Sequence, residues 1–186
     1  MPLIEAIVAV DEKYGLAKDG QIPWKSKTDM NFFKTSTTNN IVVMGSNTLL
    51  SLRNANPLPN RLNIVLTRDP SKFNNDDKYK HLENIRFMDE TMFSMFLEDP
   101  ISVIIPGQYK FLNFDYKIFI IGGNQIYTAF CDRCSTIWLT KIKANYECDL
   151  IFSYNANPNK YNCEIYYEDT ELQIMRLTRQ FDSLTK

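Results

Sequence analysis

The chain reads as an α/β protein: a central, mostly parallel β-sheet of about eight strands, flanked by about four helices and closed by an antiparallel C-terminal edge. Three observations predict this. Apolar runs of four to eight residues alternate with stretches of helical period. The runs at Ile4–Val10, Ile41–Gly45 and Ile118–Ile121 hold too few polar residues for half-solvated strands, so they must be covered on both faces. The last stretch, Glu164 to Phe181, divides into two strand-like segments joined near Asp169-Thr170.

The elements follow in order. After the first strand, residues 11–20 form a loop with glycines at Gly15 and Gly20, a length more often functional than inert. A helix runs from about Thr28 to Thr37. The second strand ends at Gly45 and meets Ser46-Asn47-Thr48 at the start of another helix, an order that points amides and a hydroxyl at the strand's carboxyl end. Pro57-Leu58-Pro59-Asn60 is a stiff turn delivering Arg61 to the third strand, Leu62–Thr67, with Arg68 directly after it. Residues 69–85 read as a solvated surface segment, followed by a short strand near Arg86-Phe87-Met88 and a helix over Asp89–Leu97. Ser102-Val103-Ile104-Ile105, in an inserted stretch around 102–114, is either a strand or part of that insertion. A further strand spans Ile137–Ile142.

Composition narrows the function. Hydrophobic residues make up 44% and charged residues 23%, with a net charge of −1, which gives no reason to invoke nucleic acid or a membrane surface. No apolar run approaches ~18 residues, and the N-terminus lacks a signal-peptide pattern. The expectation is a single domain over residues 1–186, cytoplasmic and monomeric. Cys131 and Cys134 have C-x-x-C spacing but sit at the end of a helix rather than opening one. Cys148 and Cys163 offer no second pair, so the four thiols read as structural. His81 is the only histidine, and no metal site is expected.

Two stretches carry chemistry. In Gln21–Lys34, Asp29 lies beside Met30 and shares a helix face with Phe33. Its plain reading is a capping box begun by Ser26. Its sharper reading is an acid at the mouth of an apolar pocket, able to pair with a flat, amidine-like cationic ring. In Lys117–Tyr127, a buried strand meets Gly122-Gly123 and then a helix. The glycines form either a tight turn or a backbone passage close to a pyrophosphate. The G-x-G-x-x-G fingerprint is absent.

Taken together, Ile7-Val8-Ala9-Val10, Gly15 to Trp24, Asp29 with Phe32-Phe33-Lys34, Val43-Met44-Gly45 with Thr48 and Ser51, Pro57 to Arg61, Leu66-Thr67-Arg68, Ile120 to Gly123 with Ile126-Tyr127, and Leu139-Thr140 resemble dihydrofolate reductase in order and spacing. The resemblance spans about residues 4–181. It implies reduction of 7,8-dihydrofolate to tetrahydrofolate by hydride from NADPH, in support of one-carbon metabolism and thymidylate synthesis, with antifolates such as methotrexate as ligands. Asp29 would hydrogen-bond the pteridine 2-amino group and N3, Thr140 would orient it, and Trp24 would help hold an ordered water. Burial beside Phe33 and Ile7 should raise the Asp29 pKa. Ile7 and Ile121 would offer carbonyls to the pteridine, and Val8 and Ala9 would line its floor. Phe33, Leu52 and Leu58 would grip the aminobenzoyl ring, and Arg61 would pair with the glutamate tail.

On the cofactor side, the resemblance implies Ala9, Leu16 and Tyr127 near the nicotinamide, with Tyr127 also bordering substrate. Gly122 and Gly123, joined by a cis peptide, would lie with Thr48 at the pyrophosphate, and Arg68 at the adenosine 2′-phosphate. Gly20, Gly45, Asn47, Thr67, Asn124, Gln125 and Ile126 complete the implied cofactor surface. The chain departs from the family pattern after Gly45, where Ser46 and Asn47 replace basic residues, and at Ala17, which replaces a loop glycine. Weaker or more salt-sensitive NADPH binding is expected, with less discrimination against NADH. Because the sequence stops soon after Phe181, no fused thymidylate synthase is expected. Two rivals stay open: a pterin- or pyrimidine-directed reductase of the same fold, and a folate-binding protein without turnover.

Overall fold

The computed structural model describes residues 2–100, 104, 109–156 and 159–180. In order, the elements are β1 Ile4–Val10, β2 Gly15–Ala17, α1 Lys27–Thr37, β3 Ile41–Gly45, α2 Ser46–Ser51, β4 Leu62–Leu66, α3 Pro70–Asn74 and β5 Ile85–Met88. They continue with α4 Glu90–Glu98, β6 Ile118–Gly122, α5 Asn124–Phe130, β7 Thr136–Ile142, β8 Leu150–Ile151, β9 Tyr161–Glu168 and β10 Leu172–Arg179. Eight strands form one sheet in the order β5-β4-β3-β6-β1-β7-β10-β9. All its pairs are parallel except β7–β10 and β10–β9, which are antiparallel. The expected antiparallel edge is therefore present. A separate ribbon pairs β2 with β8.

Chain order explains where the sheet opens. The path leaves β1 through α1 and passes over β6 to reach β3; it leaves β6 through α5 and passes β1 to reach β7. These crossovers depart in opposite directions, so a crevice must form at the carboxyl ends of β1 and β6. The register records it. β1 pairs with β6 only from Ile4 to Ala6, yet it stays paired with β7 as far as Val10–Lys141.

Strand alternation then sorts β1's side chains. Ile7 packs with Val42, Met44 and Leu49 on the face covered by Phe33 of α1. Ala6, Val8 and Val10 pack on the opposite face with Phe93 and Phe96 of α4 and Tyr127 and Phe130 of α5. α1 begins where Ser26 accepts the Asp29 backbone N–H at 3.2 Å.

The stretch from 69 to 85 corrects the sequence reading, because it is more than solvated surface. Asp69 caps α3 and Pro70 opens it, a start signal written in the sequence. Behind that helix Tyr79 is buried, and Phe73 stacks on Phe87 with ring centroids 4.8 Å apart. With α3 the described α-helices number five, in keeping with the expected count of about four. Residues 102, 103 and 105–108 of the inserted stretch lie outside the described residues, while Ile104 and Tyr109 join the core.

Phe93 has no solvent exposure and meets Phe96 and Phe130 at centroid distances of 5.9 and 5.0 Å. Phe93→Ala should destabilise the fold by about 3–5 kcal/mol. Urea unfolding measures this, and a loss under about 1 kcal/mol would mean the packing here collapses without a cavity.

Candidate active site

Asp29 stands at the third position of α1, where its backbone serves the Ser26 cap and its carboxylate turns the other way. The capping reading therefore holds for the backbone of this residue and leaves its carboxylate uncommitted to the cap. The side chain is half-buried and faces Thr140 and Trp24. Thr140 is buried on β7 in register with Ala9 of β1, so the central strands fix the hydroxyl opposite α1. Burial raises the Asp29 pKa, while Thr140 and then Trp24 pull it partly back. The indole Nε1 of Trp24 lies close enough to act on the carboxylate. It is nevertheless buried without a hydrogen-bond partner in the protein, an arrangement suited to a bridging water.

The opening between β1 and β6 is spanned by Tyr127, whose hydroxyl donates to the Ile7 carbonyl at 2.8 Å. Complete burial pushes the Tyr127 hydroxyl pKa well up, so it remains a neutral donor. The Ile7 carbonyl, expected to wait for a ligand, thus already holds one partner and keeps its second lone pair. Val8 departs from expectation as well. Its side chain belongs to the opposite face of the sheet, so only its backbone can reach a floor beneath Asp29. Ala9 packs toward Trp24, and Phe33, Leu52, Leu58 and Ile121 pack on the Ile7 face.

Arg61 is 5% exposed, which removes the reading of a surface arginine. Its Nε donates to the Pro59 carbonyl at 2.9 Å and one terminal nitrogen to Thr37 Oγ1 at 3.1 Å. Burial lowers its pKa, and among the described residues no carboxylate pairs with it. A fixed, desolvated guanidinium of this kind favours a carboxylate brought by a ligand. The turn that presents it rests on Asn63, which sequence reasoning missed. This buried side chain accepts Leu58 N and donates to Leu58 O, each at 2.9 Å. A polar residue at a central-strand position was the available signal.

Across the crevice, Gly122 and Gly123 are joined by a cis peptide. A β-carbon on Gly123 would meet Thr48 Oγ1 at 3.3 Å, and one on Gly45 would meet Ile126 at 3.3 Å. The strand ends and the starts of α2 and α5 thus touch backbone to side chain, which fits a narrow channel for a dinucleotide's phosphates. Leu16 packs on the Tyr127 face. Asn47, Gln125, Arg68 and Gly20 are exposed, Gly20 with φ +74°. Two of the expected contact residues already have partners in the protein. The Asn124 side chain exchanges hydrogen bonds with Ser153 at 2.9 and 3.1 Å. Thr67 Oγ1 accepts the Asp69 N–H at 3.3 Å. Cys131 and Cys134 are free thiols buried below the site.

Such an arrangement defines an α/β protein with a switch-point crevice, glycines on one wall and the Asp29 carboxylate on the other. The sequence pattern of the family described as dihydrofolate reductase matches residues 3–181. The chain is 32% identical over 149 residues to dihydrofolate reductase of Staphylococcus haemolyticus, covering 80% of this chain and 75% of that protein. It is 30% identical over 162 residues to the Aedes albopictus enzyme, covering 82% and 80%. A solved dihydrofolate reductase from Enterococcus faecalis, complexed with NADP(H) and RAB-propyl, superposes with TM-score 0.69 at 24% identity, covering 96% of this chain and 97% of that one. The chain belongs to the dihydrofolate reductase family.

A carboxyl whose folded pKa lies above its unfolded value holds more protons when folded, so stability falls as pH rises through that interval. The raised pKa of Asp29 places it in this class. Thermal unfolding of Asp29→Asn against wild type should show the variant gaining relative stability from about pH 3 to about pH 7. A difference that stays flat would show the carboxyl is not strained by burial.

Proposed function

We propose that this chain reduces 7,8-dihydrofolate to 5,6,7,8-tetrahydrofolate with NADPH. The observation that carries the reading is the half-buried Asp29 carboxylate, its pKa raised, facing Thr140 and Trp24 where β1 and β6 part. NADPH, when bound, supplies hydride to C6 of the pteridine. Asp29 accepts from the 2-amino group and N3, a two-point contact that fixes the ring plane and favours positive charge in the ring. Trp24 Nε1, buried and unpartnered in the protein, holds the water that delivers a proton to N5. Thr140 keeps the Asp29 carboxylate in line. Protonation at N5 makes C6 the better hydride acceptor.

The remaining residues bind and exclude water. Ile7 and Ile121 carbonyls meet the ring edge, Ala9 its floor, and Phe33, Leu52 and Leu58 the aminobenzoyl group. Arg61 takes the α-carboxylate of the glutamate tail, a contact that separates a folate from a bare pterin or a pyrimidine. The glycines at 45, 122 and 123, with Thr48 and the α5 backbone, border the pyrophosphate. Leu16 and Tyr127 border the nicotinamide, and methotrexate should occupy the pteridine side.

Consumption of reduced nicotinamide with dihydrofolate tests this directly. Wild type should turn over, and Asp29→Asn should lose roughly 10²–10⁴-fold in rate while still binding methotrexate. Tight binding with no wild-type turnover would make the chain a folate binder. Undiminished turnover in the variant would remove the mechanism.

Cofactor choice provides a second test. With Ser46 and Asn47 after Gly45, Arg68 is left as the expected 2′-phosphate cation. The KM ratio of NADH to NADPH should be modest, fall with added salt and fall further in Arg68→Ala. A strong preference that survives Arg68→Ala would contradict it.

A further inference from the structure

Asp11 directly follows β1 and is 1% exposed. One carboxylate oxygen accepts Lys13 N and Gly15 N, each at 2.8 Å. The other accepts Tyr146 N, 135 residues away, at 3.0 Å. The Tyr146 ring in turn packs on Trp24, centroids 5.7 Å apart. The two loops meet elsewhere through main-chain bonds, Glu12 N to Ala144 O and Asp149 N to Ala17 O, both at 3.1 Å. A second carboxylate, that of Asp149, accepts Asp19 N on the exposed surface at 2.8 Å. Asp11 is the buried carboxylate among these ties, and its tie leads to the residue beside Asp29.

We propose that Asp11 is a positioning residue for the reduction: it anchors the loop that follows β1 to the β7–β8 loop and, through Tyr146, holds the Trp24 indole against Asp29. The charge state suits the role. Burial opposes ionisation of Asp11, but the amides of Tyr146, Gly15 and Lys13 and the Cys148 thiol outweigh it, so the pKa lies below the ordinary value. The ionised carboxylate offers acceptors only, and every group facing it is a donor.

Asp11→Asn isolates this function. Its amide oxygen can still serve Lys13 and Gly15, but its NH₂ then faces the Tyr146 N–H, donor against donor. Tyr146→Leu keeps apolar volume and removes the ring on Trp24. The groups facing Asp29 are Thr140 and Trp24, with the Tyr127 hydroxyl close enough to feel its charge. Of these, Trp24 is the one a slackened Tyr146 would release. Because Trp24 lowers the Asp29 pKa, its withdrawal should raise the pKa read from the pH dependence of hydride transfer.

This inference rests on the function proposed above. In single-turnover reactions of the NADPH-loaded enzyme with dihydrofolate, each variant should slow hydride transfer roughly tenfold. Each should also move its pH profile upward, and the double variant should be no worse than the slower single one. A variant that merely folds less well lowers the amplitude and leaves the profile in place. An unmoved profile in both variants, or effects that multiply in the double variant, would overturn the proposal. If Asp11→Asn does not fold, an unmoved profile in Tyr146→Leu overturns it alone. Absence of turnover in wild type would fell the functional reading as well, which separates the two failures.

Discussion

A carboxylate kept half out of water is the constraint around which this molecule is arranged. Asp29 sits on a helix whose cap needs its backbone, while its side chain is turned toward a buried threonine and a buried tryptophan. That placement exists only because β1 and β6 separate after three paired residues, and they separate because their crossovers leave in opposite directions. Sheet topology thus opens the crevice, and the same topology carries Thr140 to its wall and the glycines of β6 to the other.

The cost of this arrangement is local, and the rest of the fold offsets it. A buried acid raises its own pKa and weakens the ionised folded state. The buried arginine beside the last residue of α1 is likewise desolvated, with a carbonyl and a hydroxyl as its partners in place of a carboxylate. Away from the crevice, nearly every large side chain of the central strands is sealed between two helical layers. Stability resides in that sealed part, while the two desolvated polar groups carry the local cost.

The sequence made the strands legible because fully buried parallel strands are apolar throughout, as in Ile4–Val10 and Ile41–Gly45. Asp29 was legible for the complementary reason, as an acid among apolar neighbours. What escaped depends on partners distant along the chain. The Tyr127 hydroxyl reaches Ile7 across 120 residues, Asn124 is claimed by Ser153, and Asp11 by Tyr146. Val8 was placed with Ile7 and Ala9 although alternation turns it to the other face, a rule available from the sequence and not applied. The helix at Pro70 was hidden by the polar, charged residues around it, since only its cap and proline spoke for it.

The fold itself, before any ligand arrives, holds Asp29 as a reluctant anion. A carboxyl-carbon NMR titration of the ligand-free protein, with the Asp29 signal assigned by its absence in the asparagine variant, reads this directly. The midpoint should lie above the ordinary aspartate value of 3.8. A midpoint at or below that value would mean a carboxylate already comfortable in its pocket, the opposite of what burial beside Thr140 and Trp24 requires.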